Sequence, residues 1–314
     1  MKIIRVFPRK TNATPTDDLV AVNRAPYLWE EADEVHISVA FSADMKKAET
    51  LARYWAPVGT VKIGGPALDD PGGDFISGKY LKPGYTITSR GCPNHCWFCD
   101  AWRREGRKIR TLPIVPGFNV LDNNLLACPR SHVEAVFDML ATQKDAPRFT
   151  GGLEAAILQE WQVIRIAQLH TKIAWFAYDT PDDYEPLRIA ASLLNDCGLI
   201  TSGHGMCCYV LCGWKGDSFA SAEKRFRSVV EMGLMPQAML LNRGSHFDDS
   251  TAKEWKRYAR TWANKVIVGA KMRQIGKVLQ DQDIRSGTQG GSHSLAESNG
   301  VLHSTTQTFN RCGR

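Results

Sequence analysis

The sequence predicts an α/β fold in which parallel strands alternate with helices. Short apolar runs recur along residues 81–245, and stretches with apolar side chains at helical spacing lie between most of them. Strands that alternate with helices in this way favour a parallel sheet. The composition agrees with a folded chain, because 314 residues with 43% apolar and 23% charged side chains can bury a large core in one or two domains.

Residues 1–80 predict a small α/β extension. Strand-like runs cover 34–41 and 58–64, and helical periodicity covers 43–55 between them. Gly64, Gly65 and Pro66 end this β-α-β unit.

Residues 81–245 predict the main domain. The expected strands are 85–88, 119–122, 148–151, 173–179, 206–212 and 237–241. The expected helices are 131–140, 158–170, 184–197 and 218–232. In folds of this kind, chemistry gathers at the carboxyl ends of the strands.

The remainder of the chain predicts a helix and a tail. Trp255, Tyr258 and Trp262 lie at helical spacing, so residues 246–275 are expected to hold a helix that packs on the main domain. Residues 276–314 are polar and rich in glycine and serine, which predicts a disordered tail.

A cysteine loop follows the first strand of the main domain, in the order Cys92-Pro-Asn-His-Cys96-Trp-Phe-Cys99. Three closely spaced thiolates suit three irons of a four-iron, four-sulfur cluster, whereas most such clusters take a fourth cysteine. A ligand set that is one short leaves one iron open to a substrate or cofactor.

The loop has other interpretations. A zinc site would need His95, His132 or Cys128 as its fourth ligand, and no second C-x-x-C pair follows. A disulfide framework fits poorly with a long chain that has an odd count of nine cysteines and no export signal. We therefore expect an iron–sulfur protein of the cytoplasm with no membrane segment. A non-catalytic iron–sulfur or zinc protein that uses the loop to organise a binding surface is the alternative.

At these residues the sequence resembles the radical S-adenosylmethionine superfamily. Cys92, Cys96, Phe98 and Cys99 match its signature, in which three residues separate the first two cysteines and an aromatic residue precedes the third. The resemblance implies an open, partial (β/α)6 barrel of the TIM-like type and a [4Fe-4S] cluster whose open iron binds S-adenosylmethionine. It also implies an external one-electron donor of the flavodoxin or ferredoxin type. S-adenosylmethionine would be cleaved to give a 5′-deoxyadenosyl radical, and this radical would abstract hydrogen from a substrate. Phe98 would cover the cluster beside the adenine.

The resemblance also implies contacts to S-adenosylmethionine at the ends of later strands, from Asp122, Gly151, Gly152, Glu154, Tyr178, Asp179, Gly213 and Gly216. Segment 150–154, Thr-Gly-Gly-Leu-Glu, resembles the superfamily's G-G-E-P segment, with an inserted leucine and no proline. Segment 122–124, Asp-Asn-Asn, is similar to the D-D-N of cobalamin-type relatives. Segment 179–183 also suits a helix N-cap, and this alternative stays open.

Cobalamin itself is not expected. Some radical enzymes carry a cobalamin-binding domain before the cluster, and residues 1–80 look like a short, degenerate version of it. The D-x-H-x-x-G segment that supplies the lower cobalt ligand is absent, since Ile-Ser-Val follows the only histidine of this region, His36.

Several features leave the substrate and reaction open. Cys207, Cys208 and Cys212 suit a buried core better than a second cluster, and no role is predicted for Cys128 or Cys312. Basic residues in segment 102–110 suit an anionic partner or a solvated surface equally. The substrate can be a small molecule, a peptide or a nucleic acid, and the reaction a methyl or methylthio transfer or a rearrangement or oxidation.

Overall fold

The computed structural model describes residues 1–69, 72–201, 205–264 and 266–275 and divides into two compact units. The first unit comprises Met1–Ile157 and Leu169–Ile173, and the second comprises Leu158–Gln168 and the described residues from Ala174 onward. The predicted tail at 276–314, with Cys312, lies outside the described residues. The predicted domain boundaries after residues 80, 245 and 275 stay predictions.

The first unit begins with a parallel four-stranded sheet. Its strands are β1 (Ile3–Phe7), β2 (Val20–Val22), β3 (Glu34–Ser38) and β4 (Thr60–Gly64), in the order β2-β1-β3-β4, and helix α1 (Met45–Trp55) joins β3 to β4. Burial alternates along β3, with Val35 and Ile37 on the buried face against Leu51 and Trp55 of α1. The predicted β-α-β unit is present, and β1 and β2 extend it beyond what the sequence predicted.

The rest of the first unit carries the cysteine loop. Its elements are β5 (Tyr85–Thr86), β6 (Ser89–Arg90), α2 (Ala101–Glu105), β7 (Arg110–Thr111), β8 (Asn119–Val120), α3 (Arg130–Ala141) and β9 (Arg148–Phe149). Strands β5, β8 and β9 pair in parallel, with β8 in the middle. Helix α3 buries Val133, Val136, Phe137 and Leu140, one apolar face at helical spacing.

The second unit continues the alternation of strands and helices. Its elements are α4 (Glu160–Gln168), β10 (Ile173–Tyr178), α5 (Tyr184–Asp196), β11 (Met206–Cys212), α6 (Phe219–Glu231), β12 (Met235–Leu240) and α7 (Asp249–Ala263), and residues 266–275 are also helical. Strand β11 pairs in parallel with both β10 and β12. Six of its seven residues are buried, as expected for a central parallel strand.

The aromatic residues of α7 form part of the core of this second unit. Trp262 stacks on Phe226 of α6 with ring centroids 4.6 Å apart. The Tyr258 hydroxyl and the Trp262 indole N–H both donate to the Glu223 carboxylate, each at 3.0 Å. Burial of the aromatic stripe is what its spacing predicts.

The predicted α/β class with parallel sheets of alternating strands and helices is therefore confirmed. Across the described ranges, none of the helices has both the length and the apolar character needed to cross a bilayer.

Candidate functional site

The cysteine loop is closed at its base by backbone pairing. Strands β6 and β7 pair antiparallel on either side of it, and the Cys92 N–H donates to the Gly106 carbonyl oxygen at 3.1 Å. Gly91 enters the loop with φ +92°, and a Cβ there would lie 2.4 Å from the Lys108 carbonyl oxygen. Only glycine fits this position, because it lacks a Cβ and tolerates positive φ.

The three cysteines of the loop, Cys92, Cys96 and Cys99, are partly exposed. The backbone turns tightly between the last two, since the Cys99 N–H donates to the Cys96 carbonyl oxygen at 3.1 Å. The Trp102 indole N–H donates to the same oxygen at 2.9 Å and so fixes α2 against the turn. Phe98 packs edge-on against Trp97, with ring centroids 5.3 Å apart.

Two of the three possible fourth zinc ligands, Cys128 and His132, make contacts outside the cysteine loop. Cys128 is buried, and burial raises the pKa of its thiol to about 11. His132 Nε2 lies 3.3 Å from the Thr88 hydroxyl. Within the described part of the chain, no group of three or more His, Cys, Asp or Glu side chains is arranged so that it could hold a metal ion.

Asp122 connects the end of β8 to the segment that enters the cysteine loop. Its Oδ1 accepts from the Thr88 backbone N–H, and its Oδ2 accepts from the Thr88 and Ser89 hydroxyls, all at 2.6 Å. The side chain is almost completely buried, and this burial raises the pKa of the carboxyl. Both oxygens of this predicted cofactor contact are therefore engaged within the protein.

The two residues after Asp122 continue these contacts along the loop. Asn123 Oδ1 accepts from the Gly91 N–H at 3.2 Å. Asn124 Nδ2 donates to the Glu154 carboxylate and lies 3.6 Å from Cys92 Sγ. Three consecutive side chains thus contact successive parts of segment 88–92. Only the first was selected from the sequence, although the run of three Asx residues directly after a strand was the available signal.

The glycine pair of segment 150–154 allows β9 to approach β8 closely. A Cβ on Gly151 would lie 2.4 Å from the Asp122 carbonyl oxygen, and Gly152 has φ +102°. The inserted Leu153 is buried, so it adds to the core of the unit. Glu154 then reaches Asn124. The first unit thereby brings the predicted residues Asp122, Gly151 and Glu154 together around the start of the cysteine loop.

Three arginines, two of them from the basic segment after the loop, surround one buried carboxylate. Glu105 is 3% exposed at its side chain, and guanidinium nitrogens of Arg90, Arg104 and Arg110 each lie 3.3 Å from it. The Gly72 N–H donates to the same carboxylate at 3.1 Å. These arginines therefore stabilise the base of the loop, and the sequence did not predict this arrangement.

In the second unit, Tyr178 and Asp179 lie at the carboxyl end of β10. Tyr178 is buried, which raises the pKa of its phenol. Burial, and then the nearby charge of Asp183, raise the pKa of Asp179 to about 7. Asp183 accepts from the N–H groups of Asp179 and Thr180 at 2.9 and 2.7 Å, in a capping box at the start of the short helix Pro181–Asp183. The capping alternative is therefore present for Asp183.

The glycine turn after β11 is held by a buried ion pair. Asp217 Oδ2 accepts from the Gly213 N–H and from Arg225 Nη2, both at 2.8 Å, and both side chains of the pair are almost fully buried. Gly213 has φ +72°, and a Cβ there would lie 2.5 Å from Leu240 Cδ1. Gly216 has φ +92° with no atom within 4 Å of the Cβ position, so only its conformation requires glycine.

The cysteines of β11 are buried, as the core interpretation predicts. The side chains of all three are buried: Cys207, Cys208 and Cys212. Burial raises the pKa of the Cys208 thiol strongly and that of Cys212 to about 12.

Neither a scan against protein-family models nor a search of curated proteins found a match for this chain. A function for it must therefore be argued from its own residues.

Proposed function

We propose that this chain is a radical S-adenosylmethionine enzyme in which Cys92, Cys96 and Cys99 bind three irons of a [4Fe-4S] cluster. The observation that supports it is the cysteine loop itself, with the superfamily spacing and with Phe98 before the third cysteine. When bound and reduced by an external donor, such a cluster supplies the electron that cleaves S-adenosylmethionine, and the resulting 5′-deoxyadenosyl radical abstracts hydrogen from the substrate.

The residues around the loop suit this group chemically. Thiolates are the usual ligands of iron–sulfur clusters, and the three cysteines are partly exposed rather than sealed in the core. Beside them, the Glu154 carboxylate is partly exposed, and the buried Asn124 Oδ1 has no hydrogen-bond partner among the described residues. A carboxylate and an unpaired carbonyl oxygen are acceptors, so they suit an ammonium group such as that of the methionine moiety.

The protein's own contribution is to hold the loop in place. Asp122 and Asn123 bind segment 88–91, and Glu105 with its arginines binds the base of the loop. We propose Phe98 as the residue that covers the cluster.

For the fold, we propose the open (β/α)6 barrel of this superfamily. Its support is the alternation of parallel strands with helices in each of the two units. Carboxyl ends of such strands are where cofactors bind. Tyr178 is the last residue of β10 and Asp179 follows it, and Gly213 and Gly216 follow β11. These four residues are the proposed S-adenosylmethionine contacts of the second unit.

The test is anaerobic reconstitution with iron and sulfide, followed by dithionite and S-adenosylmethionine. We expect iron–sulfur absorbance and 5′-deoxyadenosine, detected by mass spectrometry. A Cys96→Ala variant should lose the product. A Cys128→Ala variant should keep it, because that thiol is buried outside the loop.

Two further outcomes decide the nature of the site. Bound zinc without iron–sulfur absorbance would overturn the proposal in favour of a zinc protein. A cluster whose EPR spectrum does not change on addition of S-adenosylmethionine would overturn the open iron and favour a structural cluster.

A further inference from the structure

The side-chain amide of Asn124 faces two acceptors with its two hydrogens. One hydrogen points to the Glu154 carboxylate, and the other to Cys92 Sγ at 3.6 Å from the nitrogen. The orientation of the amide follows from chemistry, because a carboxylate only accepts and so the NH₂ group must face it.

Asn124 is held firmly enough to impose this geometry. Its side chain is buried, and it follows β8 directly after Asp122 and Asn123, which bind the same loop. Its Oδ1 has no partner among the described residues, so the contacts that orient the amide are those of its nitrogen.

An N–H group beside a ligand sulfur changes the properties of an iron–sulfur cluster. The hydrogen bond withdraws negative charge from the sulfur and therefore favours the reduced state, which carries one more electron. Hydrogen bonds to the sulfurs are among the factors that set the reduction potential of these clusters. Groups that orient metal ligands commonly tune the metal as well.

We propose that Asn124 is a positioning residue that orients the Cys92 thiolate and raises the reduction potential of the cluster. This inference rests on the proposed function, because it requires the cluster at Cys92. It assigns a role that neither the spacing of the cysteines nor the match to the superfamily signature gives.

The test is an EPR-monitored redox titration of the reconstituted protein without S-adenosylmethionine. Asn124→Leu keeps the approximate size and removes both N–H donors, so we expect the reduction equilibrium to become at least tenfold less favourable, a potential lower by 59 mV or more. Asn123→Ala is the matched control, since it removes the acceptor for the Gly91 N–H and leaves the amide at Cys92 in place. An unchanged potential in Asn124→Leu, or an equal shift in Asn123→Ala, would overturn the proposal.

A second pair of variants covers the case in which Asn124→Leu does not fold. Asn124→Ala removes the donors without adding bulk, and Asn123→Ala makes the same truncation at the neighbouring side chain. We expect the reduction potential to fall further in Asn124→Ala than in Asn123→Ala. Equal falls would show a general disturbance of the loop and would refute the role of the N–H donor.

The contact to Cys92 can be tested without any cluster. In the metal-free chain labelled with ¹⁵N-asparagine, the Asn124 side-chain signals should move in Cys92→Ala and stay in place in Cys212→Ala, which removes a buried thiol of β11 instead. Unmoved signals in Cys92→Ala would refute the contact itself. A different result separates the two proposals: the signals move in Cys92→Ala, but the wild-type chain takes up no iron–sulfur cluster on reconstitution. That result would keep the contact and refute the proposed function, and with it the redox role.

Discussion

Removal of the Asp122 carboxylate should destabilise the first unit more than any exposed acid does. Asp122→Ala would leave three buried donors without their acceptor: the Thr88 N–H, the Thr88 hydroxyl and the Ser89 hydroxyl. A buried donor without a partner costs about 1–3 kcal/mol. The Thr88 hydroxyl can turn towards His132 Nε2, 3.3 Å away, whereas the backbone N–H cannot turn. Relief from burying the carboxyl offsets part of the loss, so we expect the free energy of unfolding to fall by about 2–4 kcal/mol.

Urea unfolding followed by circular dichroism measures this change. Asp122→Asn should lose only about 1 kcal/mol, because its carbonyl oxygen can still accept from the Thr88 N–H. Asp145→Ala removes an exposed acid of the same unit and should stay within about 0.5 kcal/mol of the wild type. If Asp122→Ala is no less stable than Asp145→Ala, the carboxylate does not hold the loop and the argument fails.

Three further predictions concern other positions. Gly151→Ala would place a Cβ 2.4 Å from the Asp122 carbonyl oxygen. The free energy of unfolding of this variant, measured in urea, should fall by about 1–3 kcal/mol, and an unchanged value would contradict this packing. Because the pKa of Asp179 rises from 3.8 to about 7 on folding, its contribution to stability is complete below pH 3.8 and is lost as the pH rises through about 7. Asp179→Asn should therefore be more stable than the wild type at pH 8, by up to about 4 kcal/mol, and the gain should vanish near pH 4 in paired thermal melts. Arg225→Leu would leave the fully buried Asp217 carboxylate unpaired, so the free energy of unfolding should fall by about 3–5 kcal/mol. Arg225→Leu combined with Asp217→Leu should recover most of this loss. Equal stabilities of the single and double variants would refute the pairing.

The sequence predicted the longer elements well because their signal is local. The run Met206–Cys212 is apolar throughout and is a strand over the predicted residues. The strand predicted at 85–88 covers only Tyr85–Thr86. Its ladder ends early because the Thr88 N–H donates to the Asp122 carboxylate instead of to a neighbouring strand.

The side-chain contacts around the loop were not predictable in the same way. Asn124 and Glu154 are separated by 30 residues, and Glu105 receives an arginine from 15 residues earlier. Such pairs form only when the sheet brings strand ends together, and no periodicity in the sequence encodes them. The run 122–124 is an example. The sequence predicts a functional contact only for Asp122, whereas in the structure each of the three side chains contacts a different residue of the loop entry.

The Asx run also explains how the chain can hold its cysteine loop ready for a ligand. Fixing the backbone of one residue costs about 1–2 kcal/mol, so ordering segment 88–92 is expensive, and its sheet pairing is limited to the two-residue ladder between β6 and β7. Hydrogen bonds from this segment to Asp122 and Asn123, and the contact of Asn124 with Cys92, offset that cost in the folded protein. A cluster would then bind to a loop whose entry is already ordered, so its binding free energy would not be reduced by the entropy cost of ordering this segment. Of the three proposed ligands, Cys92 is therefore the one whose position depends on the strand ends, whereas Cys96 and Cys99 depend on the tight turn between them and on α2.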